Sequence, residues 1–537
     1  MFEKNFKIWH LYTIRRYWKL RSAPCFDEFI RLAGRPCSPG ADGGELHARF
    51  HERYHLLSIY TGVFMSAFRK FISIGLTAIL VAGLLTPQTA LGLTVREEEK
   101  MARSFLPIIF KYFDMIEDPV IVNYVNKVGN RIVAKLDEPL FHYRFYVIDT
   151  HPFNAFAIPA GYIFINSGLV MAMDNEEELA GILGHEIAHV NARHISQKIE
   201  RSKKIGWARM AGMAAGVLMG VAGAGGDASQ AVMQGSQAAA ATAELSYSRE
   251  NEMQADQLGL IYLNDAGYGG QGLLKILKKM RAKQWYDSKL VPTYLMTHPA
   301  IDERIAYIDG QLASTPKTPK PKSQKSSGEF ERVLTYLITQ YGDENLVLRR
   351  TETALKDHPS DPLARYRYGL ILARIGRREE AIDQLRMVLE KRAFDPYLLR
   401  DIGRVYFLDG QFQQALKMLK TAHNMIPDDA ECSLFLGQTQ LELGAFDDAS
   451  ALLLDVVKKN PNYTQAYYFL GQSLGKQGNL ADAHYYLAVF HSRKRDYQTA
   501  VLQLQRALKY AKDAEKRAKI EEALKKLQDA LAKKKSG

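Results

Sequence analysis

A 34-residue repeat governs the second half of this 537-residue chain and restricts its fold more than any other feature. Two ladders of small residues keep the period, and each alanine lies twelve residues after its glycine. The glycines are Gly369, Gly403, Gly437 and Gly471, and the alanines are Ala381, Ala415, Ala449 and Ala483. Small residues at a fixed period of this length let two helices per repeat pack closely, so the pattern predicts an all-α solenoid.

The ladders resemble tetratricopeptide repeats over about residues 361–490. Proteins of that kind stack helix pairs into a concave surface that binds peptides or partner proteins, and the repeats bring no catalysis. The resemblance therefore implies a docking domain, which we assign to residues 330–537.

The array changes phase near its end, because Ala500 lies 17 residues beyond Ala483, which is half a repeat. We therefore expect the helix around Ala481–Ser492 to close one helix pair and to open the next. Residues 330–358 are expected to form one further, degenerate hairpin. The Lys-rich segment Glu515–Lys535 is expected to be a helix that caps the stack with a polar face.

The first half of the chain contains a His-Glu-x-x-His pattern at His185, Glu186 and His189. Two histidines four residues apart lie on one face of an α-helix, so both imidazoles can bind one metal ion. Glu186 is rotated off that face, where its carboxylate can act as a base toward a water at the metal. The alternative is a helix with two buried, hydrogen-bonded histidines.

The sequence around this pattern predicts the helix that the chemistry requires. Asn175 is an N-cap candidate, Glu178 follows three residues later, and acidic residues fill the first turn. Apolar residues then recur at helical spacing, namely Leu179, Ile182, Leu183, Ile187 and Val190. The pattern therefore lies inside a well-signalled helix.

A catalytic zinc ion needs a third protein ligand and an open position. The best candidate is Glu252, because Glu252 and Asp256 are four residues apart on a second predicted helix and can both face the first. Glu252 would be the third ligand of one zinc ion per chain, and Asp256 would fix the tautomer of a ligating histidine. Glu244 and Glu250 are competing ligands, and a solvated helix face is the alternative for the pair.

The order of these motifs resembles the HtpX/CAAX-prenyl-protease type of zinc metallopeptidase. After the first motif come Glu252–Asp256, then Thr297–Pro299 and Glu303–Ile305, each in the family's order. The segment Phe153–Gly161 is similar to the family's strand and turn before the active-site helix. The resemblance covers about residues 93–312.

This resemblance implies an α+β zincin-like domain, with an active-site helix and a small sheet, that is a zinc metalloendopeptidase of the gluzincin type. His185, His189 and Glu252 would hold the zinc ion, Glu186 would be the base, and His298 would lie close to the metal. Two functional roles for His298 stay open, and an ordinary loop histidine before a helix that starts with Pro299 is the alternative. His298 could stabilise the oxyanion of the reaction, or occupy the open zinc position and keep the resting enzyme shut.

Aromatic and β-branched residues predict two strands, Tyr143–Ile148 and Tyr162–Ile165. An edge strand next to the zinc would let an extended, unfolded substrate add on by main-chain hydrogen bonds. An ordinary core hairpin is the alternative. Ala160 departs from the family, which often has a second glycine there, so the turn geometry stays open.

An export signal is indicated over residues 65–92. The basic stretch Met65–Lys70 precedes the apolar run Phe71–Leu85 and the small residues of Thr89–Gly92, which is typical of a secretory signal peptide. Residues 1–64 are interpreted as a non-native upstream extension, and a cytoplasmic tail before a signal anchor is the alternative. We expect the exported chain to be periplasmic.

Composition divides that exported chain into a zinc metallopeptidase domain at 93–312, a Pro-, Lys- and Ser-rich linker at 313–329 and the repeat domain at 330–537. One segment, Ile205–Gly226, is packed with Ala, Gly, Met and Val. We expect it to be a flap over the active site or a peripheral membrane contact, and a true membrane span is the alternative.

Residues 1–92 account for half of the formal net charge of +12, so the exported chain keeps only a mild positive charge, and no nucleic-acid-binding motif accompanies it. We therefore expect no nucleic-acid partner.

A zinc endopeptidase with C-terminal repeats is similar to envelope proteases that act on misfolded or stalled outer-membrane proteins and dock on the assembly machinery. Two alternatives stay open: a periplasmic chaperone or assembly factor with a closed or inactive metal site, and a membrane-embedded metalloprotease.

Overall fold

The computed structural model describes residues 93–201, 247–286, 293–314 and 328–536. The upstream extension, the signal peptide, the Ile205–Gly226 segment and most of the linker lie outside the described residues. No helix in the described part of the chain is both long enough and apolar enough to cross a membrane. The described residues belong to one structural unit.

The described N-terminal part is α+β, as expected. Its elements in chain order are α1 (Val95–Tyr112), α2 (Pro119–Val133), β1 (Arg144–Ile148), β2 (Ala155–Ile158), β3 (Tyr162–Asn166), α3 (Ser167–Met171), α4 (Glu176–Asn191), α5 (His194–Arg201), α6 (Arg249–Asp265), α7 (Gln271–Tyr286), α8 (Thr293–Thr297) and α9 (Ile301–Ser314). The sheet has the order β1-β3-β2, in which β3 pairs parallel with β1 and antiparallel with β2. Both predicted strands are confirmed, and β2 is an edge strand of the described sheet.

The side chains of strand β2 are large on one face of the sheet and small on the other. Phe156 and Ile158 pack with α1 in one apolar cluster, whereas Ala155 and Ala157 belong to the main core on the other face. This alternation follows from the two-residue period of a strand. The small side chains face α4, which packs directly on β2.

The turn between β2 and β3 settles the geometry that the sequence left open. Ala160 has a φ of 66° and Gly161 a φ of 83°, so both residues adopt left-handed conformations. For an alanine this conformation costs about 1–2 kcal/mol. The Ala160 methyl group is buried in the core, whereas a Cβ at Gly161 would lie 2.9 Å from the His142 carbonyl oxygen.

The described C-terminal part is all-α. Its helices in chain order are α10 (Gly328–Tyr341), α11 (Glu344–Asp357), α12 (Pro362–Arg374), α13 (Arg378–Lys391), α14 (Pro396–Leu408), α15 (Phe412–Met425), α16 (Ala430–Glu442), α17 (Phe446–Lys459), α18 (Thr464–Lys476), α19 (Leu480–Arg493), α20 (Tyr497–Tyr510) and α21 (Ala514–Ser536). Helix α19 packs against both α18 and α20, which confirms the predicted change of phase, and α21 packs on α20 at the end of the stack.

The glycine ladder marks the places where the two helices of a repeat touch. A Cβ at these glycines would lie only 2.6–2.9 Å from a leucine side chain of the second helix. The pairs are Gly369 with Leu385, Gly403 with Leu419, and Gly437 with Leu453. The 34-residue period of the glycines thus reflects the same close contact between two helices in each repeat.

Helix α10 lies between the peptidase part and the repeats. Its apolar side chains Phe330, Val333 and Leu337 belong to the same core cluster as the sheet and α4. Its polar side chains contact the first helices of two successive repeat pairs. The Arg367 Nε of α12 donates to the Thr335 hydroxyl at 3.0 Å, and the Arg404 Nη2 of α14 donates to the Gln340 side-chain oxygen at 2.6 Å. Helix α11 instead packs on α12. Both helices of the predicted extra hairpin are therefore present, and the first of them packs into the peptidase core.

A buried polar cluster joins the two parts at α10. The Tyr336 hydroxyl donates to Glu431 of α16, and it also contacts Asp118, the N-cap of α2. The single hydroxyl proton of Tyr336 cannot donate to two ionised carboxylates at once. Protonation of Asp118 or Glu431 is therefore favoured. Burial raises the pKa of Asp118 and raises the pKa of Glu431 to about 8, although Arg400 and Arg404 act in the opposite direction.

Protonation of Glu431 makes stability depend on pH. The folded protein holds this proton up to a pH of about 8, whereas the unfolded chain releases it near the ordinary value of 4.5. The unfolding free energy should therefore fall as the pH rises through this window, because the folded state binds more protons there. In thermal unfolding, the Tm of the Glu431→Gln variant should fall less than that of the wild type when the pH rises from 4.5 to about 8. Glu442→Gln, at the exposed end of α16, should keep the wild-type slope, and equal slopes in all three proteins would contradict the prediction.

Candidate metal centre

Helix α4 places the His-Glu-x-x-His motif at the centre of the peptidase part. Its start is as predicted, since the Asn175 side chain accepts a hydrogen bond from the Glu178 N–H at 3.1 Å. The Glu178 carboxylate is buried and accepts from Lys279 Nζ of α7 at 2.7 Å. Because α4 packs against β2, α6 and α7, all of its residues from Glu178 to Val190 are buried.

Four fully buried side chains bring one ligand atom each into a common cluster: His185, His189, Glu252 and His298. The His185 Nε2 lies 3.0 Å from His189 Nε2 and 3.5 Å from the Glu252 carboxylate. The His189 Nε2 lies 3.3 Å from the same carboxylate. The His298 Nδ1 lies 3.0 Å from it and 3.4 Å from His185 Nε2.

These spacings fit a single divalent metal ion. Tetrahedral ligands about 2.1 Å from a metal are about 3.4 Å from one another, and the five distances in the cluster lie between 3.0 and 3.5 Å. Imidazole nitrogens with a carboxylate oxygen are a donor set that transition metals favour. Beside the cluster, both carboxylate oxygens of Glu186 are buried and accept no hydrogen bond from any described residue.

Asp256 and Arg304 surround the cluster and orient its ligands. The Asp256 carboxylate lies 2.9 Å from His185 Nδ1, so the Nδ1–H can donate to it and leave Nε2 free for a metal. The fully buried Arg304 of α9 donates through Nε and Nη2 to the two oxygens of Asp256, each at 2.8 Å. Its Nη1 lies 2.7 Å from the Glu252 carboxylate.

No role was predicted for Arg304 from the sequence, although a signal for it was present. Arg304 occupies the apolar stripe that Ile301, Ile305 and Ile308 form at helical spacing, and all four side chains are buried. A cation in such a stripe needs buried anions as partners. The two carboxylates of α6, four residues apart, are those partners.

His194 lies close to the motif in sequence but on a different helix. Helix α4 ends at Asn191, and Arg193 with a φ of 56° lies between α4 and α5. His194 is buried at the start of α5, with its Nδ1 2.9 Å from His189 Nδ1 and its Nε2 2.9 Å from the Gln254 side-chain oxygen. It thus supports His189 from the side opposite the cluster.

His298 reaches the cluster from the end of the short helix α8. Its N–H donates to the Tyr294 carbonyl at 2.8 Å, and its ring stacks on the Tyr294 ring at a centroid distance of 4.2 Å. Its Nε2 lies 3.5 Å from the Glu186 carboxylate. The Tyr294 N–H donates to the Phe153 carbonyl at 3.1 Å, which ties α8 to the residues just before β2.

The environment of the cluster lowers the pKa of one carboxylate, Glu252, and raises the pKa of another, Glu186. Burial opposes ionisation of Glu252, but the nearby His298 and Arg304 hold its pKa well below its usual range. Burial raises the pKa of Glu186 and lowers the pKa of His189 well below its usual range. Glu252 therefore carries negative charge, His189 offers a neutral imidazole, and Glu186 is more basic than an exposed glutamate.

A helix with this motif, a glutamate from a second helix and a neighbouring carboxylate without a hydrogen bond define a metallopeptidase. Residues 122–312 match Peptidase family M48, and the chain belongs to that family. Residues 348–396 and 406–468 match tetratricopeptide repeats. The protein is thus an M48 metallopeptidase followed by a tetratricopeptide array, as the sequence patterns predicted.

Several relatives share one or both parts of this arrangement. The beta-barrel assembly-enhancing protease of Yersinia pestis is 27% identical over 411 residues, which are 73% of this chain and 80% of that protein. The protein of the same name from Escherichia coli (strain K12) is 23% identical over 390 residues, 71% of this chain and 77% of that protein. Metalloprotease YcaL of Escherichia coli (strain K12) is 30% identical over 189 residues, 35% of this chain and 68% of that protein.

Arg304→Lys should weaken metal binding while the fold persists. A lysine keeps one positive charge but cannot bind Asp256 through two nitrogens and reach Glu252 with a third. Loss of such support for metal ligands costs about 10–100-fold in affinity. Competition against a chromophoric chelator measures this, with Arg281→Lys in the surface ion pair to Asp302 as the matched control. Equal affinities for both variants, with both still folded by circular dichroism, would show that Arg304 does not support the site.

Proposed function

We propose that this protein is a zinc-dependent endopeptidase of the periplasm that hydrolyses misfolded or stalled outer-membrane proteins. The supporting observation is the spacing of His185, His189 and Glu252 around one point, with the Glu186 carboxylate beside it, which accepts no hydrogen bond from any described residue. Two imidazoles and one carboxylate on helices are ligands that catalytic zinc uses, with a further position left for water. The names of the longer relatives support the class of substrate.

The side chains around the metal have distinct tasks in this mechanism. Zinc, when bound, polarises the scissile carbonyl and lowers the pKa of a water molecule. Glu186 takes the proton of that water and passes it to the leaving amine, and its raised pKa suits both transfers. Asp256 holds His185 in the tautomer that presents Nε2, and His194 contacts His189 in the same supporting position.

Substrate binding along β2 follows from the position of that strand. Strand β2 lies at an edge of the described sheet and packs on α4, so a chain that adds to it runs close to Glu186. Strand addition uses main-chain hydrogen bonds and tolerates many sequences. It therefore suits an unfolded segment of a protein that has not reached its final structure.

His298 is proposed to be a fourth ligand that closes the resting site. Its Nδ1 lies as close to Glu252 and His185 as the ligand atoms lie to one another, which favours ligation over the oxyanion role. Because Tyr294 on the same helix is bonded to the Phe153 carbonyl, a substrate that approaches β2 meets the element that carries His298. Substrate binding would then accompany its departure from the metal.

The repeat array is proposed to dock the protease on its substrates or on the outer-membrane protein assembly machinery. The printed name of the longer relatives, beta-barrel assembly-enhancing protease, supports this kind of partner. Repeat arrays bind proteins through the surface that their stacked helices form. Part of that surface already contacts α10, so the partner would use the remainder.

Glu186→Gln should abolish peptide hydrolysis and leave zinc binding intact. The amide keeps the shape of the side chain but cannot accept a proton, and loss of such a base costs at least about 100-fold in rate. Casein cleavage and zinc content of the protein from Leu93 to Gly537 measure the two properties. Glu177→Gln, at the solvent-accessible start of the same helix, is the matched control and should cleave normally. Zinc-bound wild type that does not cleave casein, alone or with His298 replaced, would favour the chaperone function.

His298→Ala should raise casein cleavage, because it removes the ligand that closes the site. One zinc ion per chain should remain, held by His185, His189 and Glu252. Metal analysis and initial rates of cleavage, compared with the wild type, give both quantities. A fall in kcat with zinc retained would assign the oxyanion role to His298 instead.

A further inference from the structure

The hydroxyl group of Tyr294 is a buried donor that the mechanism above does not use. Tyr294 is completely buried, and its hydroxyl has no hydrogen-bond partner among the described residues. Buried tyrosines normally pair their hydroxyl groups, because an unpaired polar group loses its bonds to water. A buried tyrosine hydroxyl without a partner beside the cluster therefore indicates a bound molecule that accepts its hydrogen bond.

The side chain is placed at the wall of the metal centre. Its ring stacks on His298, lies 6.3 Å from the His185 ring and faces the Arg304 guanidinium at 6.0 Å. The charges of Glu186 and Glu252 both act on its hydroxyl. The same site thus contains a donor on Tyr294 and an acceptor on Glu186 that both lack a hydrogen bond among the described residues, and the two are not bonded to each other.

We propose that the Tyr294 hydroxyl donates a hydrogen bond to the oxyanion that develops on the scissile carbonyl during hydrolysis. This inference rests on the proposed peptidase function and identifies a further catalytic residue for it. The tyrosine keeps its proton throughout, so no group is transferred to or from it. Donors placed where charge develops are among the largest contributions to hydrolysis of this kind.

Two other buried donors near the cluster face carboxylates. Arg304 directs its nitrogens at Asp256 and Glu252. His298 places Nδ1 among the ligand atoms and Nε2 toward Glu186 at 3.5 Å, although this Nε2 and the Arg304 Nη1 form no hydrogen bond with a described residue. The Tyr294 hydroxyl differs from both because it is uncharged and has no hydrogen bond to any described residue, and the Tyr294 backbone is fixed by the bond from its N–H to Phe153. The hydroxyl is thus held in place before a substrate arrives, as an oxyanion donor should be.

Tyr294→Phe isolates the hydroxyl, because the ring and its stacking on His298 remain. We expect kcat for a fluorogenic peptide to fall about 100-fold with little change in KM. Calorimetry with a phosphinic peptide, whose tetrahedral anion mimics the oxyanion, should show a similar loss of affinity in the zinc-loaded protein. The Tm of the metal-free variant should not fall, since the lost hydroxyl had no partner.

Tyr143→Phe is the matched control, because its hydroxyl is also buried without a partner but lies in the apolar core of the domain. It should keep wild-type kcat and phosphinic-peptide affinity. Unchanged kcat and affinity in Tyr294→Phe, with an active wild type, would overturn the role of Tyr294 and leave the peptidase function standing. No cleavage by the wild type or by His298→Ala would overturn both.

Discussion

The buried guanidinium of Arg304 is the interaction on which the metal centre depends. Removing a cation from water costs several kcal/mol unless anions and hydrogen bonds compensate for it. Here Asp256 and Glu252 of α6 provide both, and Asp256 in turn contacts His185 of α4. One side chain of α9 therefore links the two ligand-bearing helices and, together with His298, keeps Glu252 ionised.

The peptidase and repeat parts are connected by packing as well as by the chain. Helix α10 adds Phe330 and Leu337 to the peptidase core, and Tyr336 of the same helix bonds to Glu431 in the repeats. A partner that bound the array would therefore be held in a defined position relative to β2. Under the proposed function, docking on the array would select the substrate, since strand addition itself tolerates many sequences.

The features that sequence predicted well are local and periodic. The motif helix, its Asn175 cap, the glycine ladder and the half-repeat before α20 all follow from spacing within a few dozen residues. The roles of Arg304 and His194 depend on contacts with α6, which lies about 50–60 residues away and whose orientation no periodicity reveals. The packing of α10 into the peptidase core was not predicted for the same reason, because its apolar side chains suit a repeat hairpin as well as that core.

X-ray absorption at the zinc edge would show whether His185, His189, Glu252 and His298 together hold one zinc ion in the resting protein. We expect one zinc ion per chain with four nitrogen or oxygen ligands, three of them imidazoles. In His298→Ala the imidazole count should fall to two, with the zinc ion retained. Fewer than three imidazoles in the wild type, or the same spectrum for both proteins, would rule out this set of ligands.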